Sequence, residues 1–192
     1  MKKSTLIYQK KNAFSKFYCN QLIDFFEHEE VGTGIQSDFY GKRLDRKIKN
    51  SLDLGIKIYS DENPLIVTLR KILGKNIREF VKRYPYVDGL KYWEVYPGAN
   101  IQKYPPMGGY LVDHCEYAVE EEPSNKRILA WMVYLNDVTD KGGTHFSNQG
   151  ITLKARTGDL YIWPAYYTHM HYGIPSPTQI KYIATGWCSF LS

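Results

Sequence analysis

YYTHMHYGIPSPTQIKYIATGW, residues 166–187, holds two strand-like runs separated by a Gly-Ile-Pro-Ser-Pro break. In the second run Lys181, Ile183, Thr185 and Trp187 fall on one face and Tyr182, Ala184 and Gly186 on the other, because strand side chains alternate. The same texture of short β-branched and aromatic runs, cut by Gly, Pro and Asp, extends back to Lys91. It predicts about eight strands, near 91–96, 100–104, 110–115, 127–135, 144–147, 151–154, 159–163, and 169–173 with 180–190. No helical period interrupts them. The pattern is that of a jelly roll or another double-sheet barrel whose mouth can hold a ligand.

The first 90 residues read differently. Ser15 stands where an N-cap would, and Phe17, Leu22, Ile23, Phe25 and Phe26 follow with helical spacing to an end near Gly32. A second helix opens at Asn63-Pro64 and is stopped by Tyr84-Pro85, with Leu65, Ile66, Leu69, Ile72, Leu73, Ile77, Phe80 and Val81 on one side. Between them, 32–55 has no clear period and reads as a long mobile connection, a place for a lid. A length of 192 residues suits one domain, with 1–90 as helical support and mobile loop and 91–192 as the β core.

Composition excludes several classes. No run is long and apolar enough for a membrane span, and Met1-Lys2-Lys3 leads into no signal-peptide stretch, so a cytoplasmic protein is expected. Cys19, Cys115 and Cys188 are far apart and odd in number, which fits a reducing compartment and no disulfide framework. The net charge of +5 divides into +6 over the first 97 residues and −1 over the rest. Its densest part, GKRLDRKIKN at 41–50, is interrupted by aspartate and joined by no nucleic-acid motif, so it reads as a solvated face rather than a nucleic-acid surface. Oligomeric state leaves no mark in the sequence.

The chemistry concentrates in three residues. His114 and Glu116, two apart in a strand-like context, can share a face and bind one ion, although such a pair also arises by chance. His169 and His171 each offer a third ligand. Two histidines and one carboxylate form the facial triad of non-haem Fe(II) oxygenases, leaving positions for a chelating keto acid and O₂. Such a co-substrate, 2-oxoglutarate, needs a cation for its far carboxylate, and Lys181 is the candidate.

The spacing carries a resemblance. Tyr104-Pro105 stands ten residues before His114; Tyr134-Leu135-Asn136 and Gly142-Gly143-Thr144-His145-Phe146 follow in order; His171-Tyr172-Gly173 precedes Lys181 by ten and Trp187 by sixteen. From about Tyr92 onward the chain thereby resembles the prolyl 4-hydroxylase-like Fe(II)/2-oxoglutarate dioxygenases, especially the short bacterial and bacteriophage forms, whose motifs keep these intervals. The resemblance implies a mainly β fold, a cupin-like double-stranded β-helix of jelly-roll type with supporting N-terminal helices. It implies His114, Glu116 and His171 as both catalytic centre and Fe(II) ligands, the choice of His171 over His169 resting on the interval to Lys181. Tyr134 and Lys181 would hold the far carboxylate of 2-oxoglutarate and Tyr104 would stand near its keto-acid end. His145 and His28 read as surface or satisfied histidines.

One residue departs from the family, which usually has aspartate where this chain has Glu116. The charge and ligating oxygens are kept, and the extra methylene demands another rotamer or a shifted backbone. The implied reaction hydroxylates a substrate C–H bond with O₂ and 2-oxoglutarate, giving succinate and CO₂, and the implied substrate is a prolyl residue of a peptide or protein. Two rivals stand beside it: an oxygenase of the same fold acting on a free amino acid, another side chain or a nucleobase, and a non-catalytic jelly-roll binding module. For a phage-encoded protein the expected compartment is the host cytoplasm.

Overall fold

The computed structural model describes residues 4–34, 36–38, 41–43, 45–90, 92–117 and 123–191, with the main chain alone at 36–38 and 41–43. In chain order the elements are β1 (Tyr8–Lys10), α1 (Lys16–His28), β2 (Gly32–Thr33), β3 (Gln36–Asp38), β4 (Gly41–Arg43), β5 (Leu52–Lys57) and α2 (Pro64–Arg83). Then come β6 (Trp93–Tyr104), β7 (Arg127–Tyr134), β8 (Thr144–Phe146), β9 (Ile151–Leu153), β10 (Leu160–Pro164), β11 (His171–Gly173) and β12 (Lys181–Phe190). A large antiparallel sheet runs β1-β10-β7-β12-β6-β5-β2, and a smaller one, β11-β8-β9, faces it. This is the expected jelly-roll architecture.

Both helices form where their caps direct. The Ser15 hydroxyl accepts from Tyr18 N at 3.2 Å, and the Asn63 side chain accepts from Leu65 N at 2.9 Å with Pro64 in the first turn. Their apolar faces cover the outside of the large sheet, where Leu22, Phe26, Leu69, Leu73 and Phe80 join Ile101, Trp131, Val133, Ile162 and Ala184 in one core. Between the sheets lies a second core of Tyr104, Met132, Tyr134, Phe146, Leu153, Tyr161, Trp163 and Ile183. Each strand of the large sheet thus feeds helices with one face and the cavity with the other.

Several expectations need correction. The segment 32–55 is not a structureless connection: β3 and β4 form a hairpin, and β5 pairs along β6 from Leu52↔Lys103 to Lys57↔Gly98. The sheet therefore draws strands from before residue 91, and Ile35, Phe39, Tyr40 and Leu44 of that segment lie outside the described residues. The runs at 91–96 and 100–104 are one strand, β6, because β12 absorbs the interruption at Pro97-Gly98 through a register shift between Gly186 and Cys188; Lys91 itself lies outside the described residues.

The expected strand at 110–115 does not form. Backbone groups there are taken one at a time, Leu111 N by Ile48 O, Asn50 N by Gly109 O, and only isolated bridges join Lys49 to Tyr110 and His114 to His171. His169 is not on a strand face either, since it ends a short 3₁₀ turn, Tyr167–His169, ahead of β11. Before β8, Gly142 has φ +71° and a Cβ on Gly143 would collide with the Leu153 carbonyl of β9, so the Gly-Gly pair is what lets β8 and β9 approach. Among the described residues no helix is long and apolar enough to cross a membrane.

Candidate metal centre and cavity

The inner face of the large sheet floors a cavity of about 490 Å³, and its lining includes His114, Glu116, His171, Tyr104, Tyr134 and Lys181. All six residues that the sequence singles out are brought together. Among the described residues His114, Glu116 and His171 are the group able to hold a metal, with one ligand atom of each lying within 4.8 Å of the others. Glu116 Oε1 is 3.5 Å from His171 Nε2 and 3.9 Å from His114 Nε2.

These atoms are aimed by their neighbours. His114 Nδ1 is 2.9 Å from the Val112 carbonyl and His171 Nδ1 is 2.9 Å from the His169 carbonyl, so each Nδ1–H donates to backbone and each Nε2 is turned to the centre. Reciprocal bonds, His114 N to His171 O at 3.0 Å and His171 N to His114 O at 2.9 Å, lock the two main chains together. The His114 ring stacks on Tyr110 with centroids 3.6 Å apart, and His171 stacks on Phe146 at 5.1 Å.

Glu116 is held at three points. Trp187 Nε1 donates to Oε2 at 2.6 Å, Arg127 Nη1 donates to the Glu116 carbonyl at 3.2 Å, and the Glu116 backbone N–H donates to Ala165 O. Arg127 also lies 3.7 Å over the Trp187 ring and 3.7 Å from Oε2. One carboxylate oxygen is thereby occupied and the other turned to the histidines. Burial would raise the Glu116 pKa, but its bond to His171 and the charges of His114, His171 and Arg127 outweigh it and hold the acid well below the usual carboxylate range. Burial, then the neighbouring His171, pushes His114 down to about 4, keeping it a neutral ligand. An anionic oxygen and two imidazole nitrogens turned to one point suit a divalent first-row ion.

At the other end Lys181 is only 4 % exposed, its ammonium 4.9 Å above the Tyr104 ring, with no ion pair to any described residue. Desolvation lowers its pKa from 10.5 to about 8. No described residue supplies its counter-charge, which fits an anionic ligand entering the cavity. The Tyr134 hydroxyl shares a 2.7 Å bond with Thr144 Oγ1, so the pair retains one hydroxyl proton to donate elsewhere. Tyr104 donates to Gln102 Oε1 at 2.7 Å, and Gln102 Nε2 donates to Asp53 Oδ2 at 3.0 Å. Asp53 accepts further from Lys49 at 2.6 Å and Ser51 at 2.7 Å, closing a buried polar chain along β5 and β6.

Reading the sequence missed Arg127, Asp53, Lys49 and Gln102. For Gln102 the signal was present, since it alternates with Tyr104 on a strand whose cavity face was fixed. Arg127 gave none. Of the other histidines, His169 is buried with Nε2 2.9 Å from Thr5 O and Nδ1 2.9 Å from Thr168 Oγ1, and it reaches the centre only through its carbonyl. His145 is satisfied by Thr152 and His28 by the Asp24 carbonyl, as expected. Asp113 points away and accepts from Ser147.

Residues 99–189, which carry the three-ligand centre with Tyr104, Tyr134 and Lys181, match the profile of the 2OG-Fe(II) oxygenase superfamily. With the assembled centre and cavity, this makes the chain a 2-oxoglutarate-dependent dioxygenase of prolyl 4-hydroxylase-like type, using Fe(II), 2-oxoglutarate and O₂. Its relatives include an inferred prolyl 4-hydroxylase of Acanthamoeba polyphaga mimivirus, 24% identical over 184 residues that cover 89% of this chain and 72% of the viral one. Among solved structures, the fold matches the viral collagen prolyl hydroxylase of Paramecium bursaria Chlorella virus-1 in its 2OG complex, with a TM-score of 0.71, 17% identity and 97% of both chains covered. It also matches the Trichoplax adhaerens prolyl hydroxylase bound to a hypoxia inducible factor peptide, with a TM-score of 0.72, 14% identity and coverage of 97% of this chain and 84% of the other.

Proposed function

We propose that the protein hydroxylates a prolyl residue within a peptide or protein, with His114, Glu116 and His171 holding Fe(II). Lys181, together with the hydroxyl shared by Tyr134 and Thr144, takes the far carboxylate of 2-oxoglutarate by charge-assisted hydrogen bonds. Tyr104 gives its proton to Gln102 and lies in electrostatic range of Glu116 and Tyr134, so it borders the co-substrate near the keto-acid end as an acceptor and an apolar wall. When bound, iron with 2-oxoglutarate and O₂ supplies the oxidising power that places hydroxyl on a substrate C–H bond, with succinate and CO₂ as co-products. The chain's own part is to orient the ligands, bury the co-substrate's charge against Lys181 and keep bulk water from both.

The observation that carries this reading is a three-ligand centre and, in the same cavity, a buried ammonium with no ion pair among the described residues, a pairing that a binding module has no use for. The prolyl substrate draws support from relatives that are prolyl hydroxylases, one of them solved with a peptide. The thiols of Cys19, Cys115 and Cys188 are free, which supports a reducing cytoplasm, a host's if the gene is viral. The test is 2-oxoglutarate turnover with Fe(II), with and without proline-containing peptides, followed by mass spectrometry. Peptide-stimulated succinate release with a 16 Da gain on proline is expected. Stimulation by a free amino acid or nucleobase alone would overturn the substrate assignment, and no iron-dependent turnover under any condition would overturn the enzyme.

A further inference from the structure

The cavity floor extends past the co-substrate site in an ordered row. Strand register aligns Gly55 of β5 with Asn100 of β6, Asn100 with Thr185 of β12, and Thr185 with Met132 of β7, and all four line the cavity. The Thr185 hydroxyl is used, donating to the Trp131 carbonyl at 2.8 Å. Asn100 is half-buried, and its side-chain amide has no hydrogen-bond partner among the described residues. Beside it, a Cβ built on Gly55 would meet nothing within 4 Å. A glycine inside a strand that packing does not require marks a place where another backbone comes close.

We propose that Asn100, across the open step left by Gly55, docks the main chain of the peptide substrate. A carboxamide offers one donor and one acceptor, which matches the C=O and N–H of a single extended residue. Proline has no N–H, so the residue gripped is a neighbour of the target proline and not the proline itself. Ideal strand spacings put Asn100 about 8 Å from Trp187, the side chain that touches Glu116, and this is the reach of roughly two extended residues. The grip reads backbone, and so confers register along the peptide without selecting side chains. This inference rests on the peptide-hydroxylase reading above.

A functional-group cycle tests it. A prolyl peptide is N-methylated in turn at each of the two positions on either side of proline, and kcat/KM is measured for wild type, Asn100→Leu and Asn100→Asp. At one position N-methylation should cost wild type about threefold to tenfold, cost Asn100→Leu nothing further, and still cost Asn100→Asp, which keeps the acceptor. Gly55→Val should raise KM for the unmodified peptide. If wild type hydroxylates the peptides but no position distinguishes it from Asn100→Leu, the docking role is wrong while the enzyme reading stands. If wild type hydroxylates no peptide, both fail. Thermal denaturation of each variant separates loss of the contact from loss of the fold.

Discussion

The two walls of the cavity are built by different means. The Lys181 wall sits on a ladder: Lys181 pairs with Tyr104, and Ile183 with both Gln102 and Tyr134, so the pleat alone sets which side chains look inward. The ligand wall is mostly without one: His171 opens β11 on its pairing with β8, but the segment that carries His114 and Glu116 joins no ladder. His114 and His171 share one isolated bridge, Glu116 hangs from Ala165 O, and each ligating side chain is aimed by a partner of its own. Where a ladder exists, orientation belongs to the strand and survives loss of one neighbour. Where none exists, removing a single prop misdirects a ligand.

The largest effect should come from the ligand wall itself. His171→Ala is expected to abolish Fe(II) binding and turnover, whereas His169→Ala should keep iron, because only the carbonyl of His169 supports the centre. Losing the part-buried bond to Thr5 O should instead cost about 0.5–1.5 kcal/mol of stability, read by denaturant titration. The reverse pattern would mean that the distal ligand is misassigned. On the laddered wall, Lys181→Met leaves a carboxylate without its cation, a loss of about 2–5 kcal/mol or roughly thirtyfold or more in 2-oxoglutarate affinity. Iron affinity should hardly move, and a joint loss of both would show that the walls are not independent.

The same contrast explains what could be read from the sequence. Alternation in 181–187 gave the inward face of β12 correctly, and the caps at Ser15 and Asn63-Pro64 gave both helix starts, because these signals are local. His114 and Glu116 converge with His171, but not by sharing a strand face as alternation suggested, since Gly109 to Glu116 is tied down by tertiary hydrogen bonds to 48, 50, 165, 171 and 173. β5 was invisible for a related reason. Gly55 and Asp53 weaken its strand character, and its place is set by pairing with β6 and by the Lys49–Asp53–Gln102 chain. Arg127 and its clamp on Glu116 depend on groups 60 residues apart, Arg127 and Trp187, meeting over one carboxylate.

That clamp is the sharpest probe of the unladdered wall. Trp187→Phe keeps the ring under Arg127 and deletes the N–H to Glu116 Oε2, so metal affinity should fall about tenfold, as for other props behind a metal ligand. Glu116→Asp should still bind iron, because charge and ligand type remain, yet more weakly, since the shorter acid cannot span from Trp187 to the histidines. In the Trp187→Phe background the further cost of Glu116→Asp should shrink. Additive losses in that double-mutant cycle, measured by anaerobic metal titration, would show that Trp187 does not act through Glu116.

The smallest effect concerns the laddered wall and pH. Burial lowers the Lys181 pKa from 10.5 to about 8, so the empty site loses its ammonium charge as pH rises through 8, while bound 2-oxoglutarate stabilises the charged form. A ligand that prefers the protonated site binds with constant affinity below that pKa and more weakly above it. Between pH 7 and 8.5 the 2-oxoglutarate association constant should therefore fall about fourfold, continuing at up to tenfold per unit until the pKa of the complex is reached. Lys181→Arg supplies a cation that does not titrate in this range, so its profile should be flat even if its affinity is lower. Calorimetry without O₂, with a redox-inert divalent ion in place of iron, reads both proteins directly. Equal slopes for Lys and Arg would assign the titration to another group and remove the reason for seating the far carboxylate at Lys181, whereas a slope confined to the lysine form ties the burial of that one ammonium to co-substrate capture.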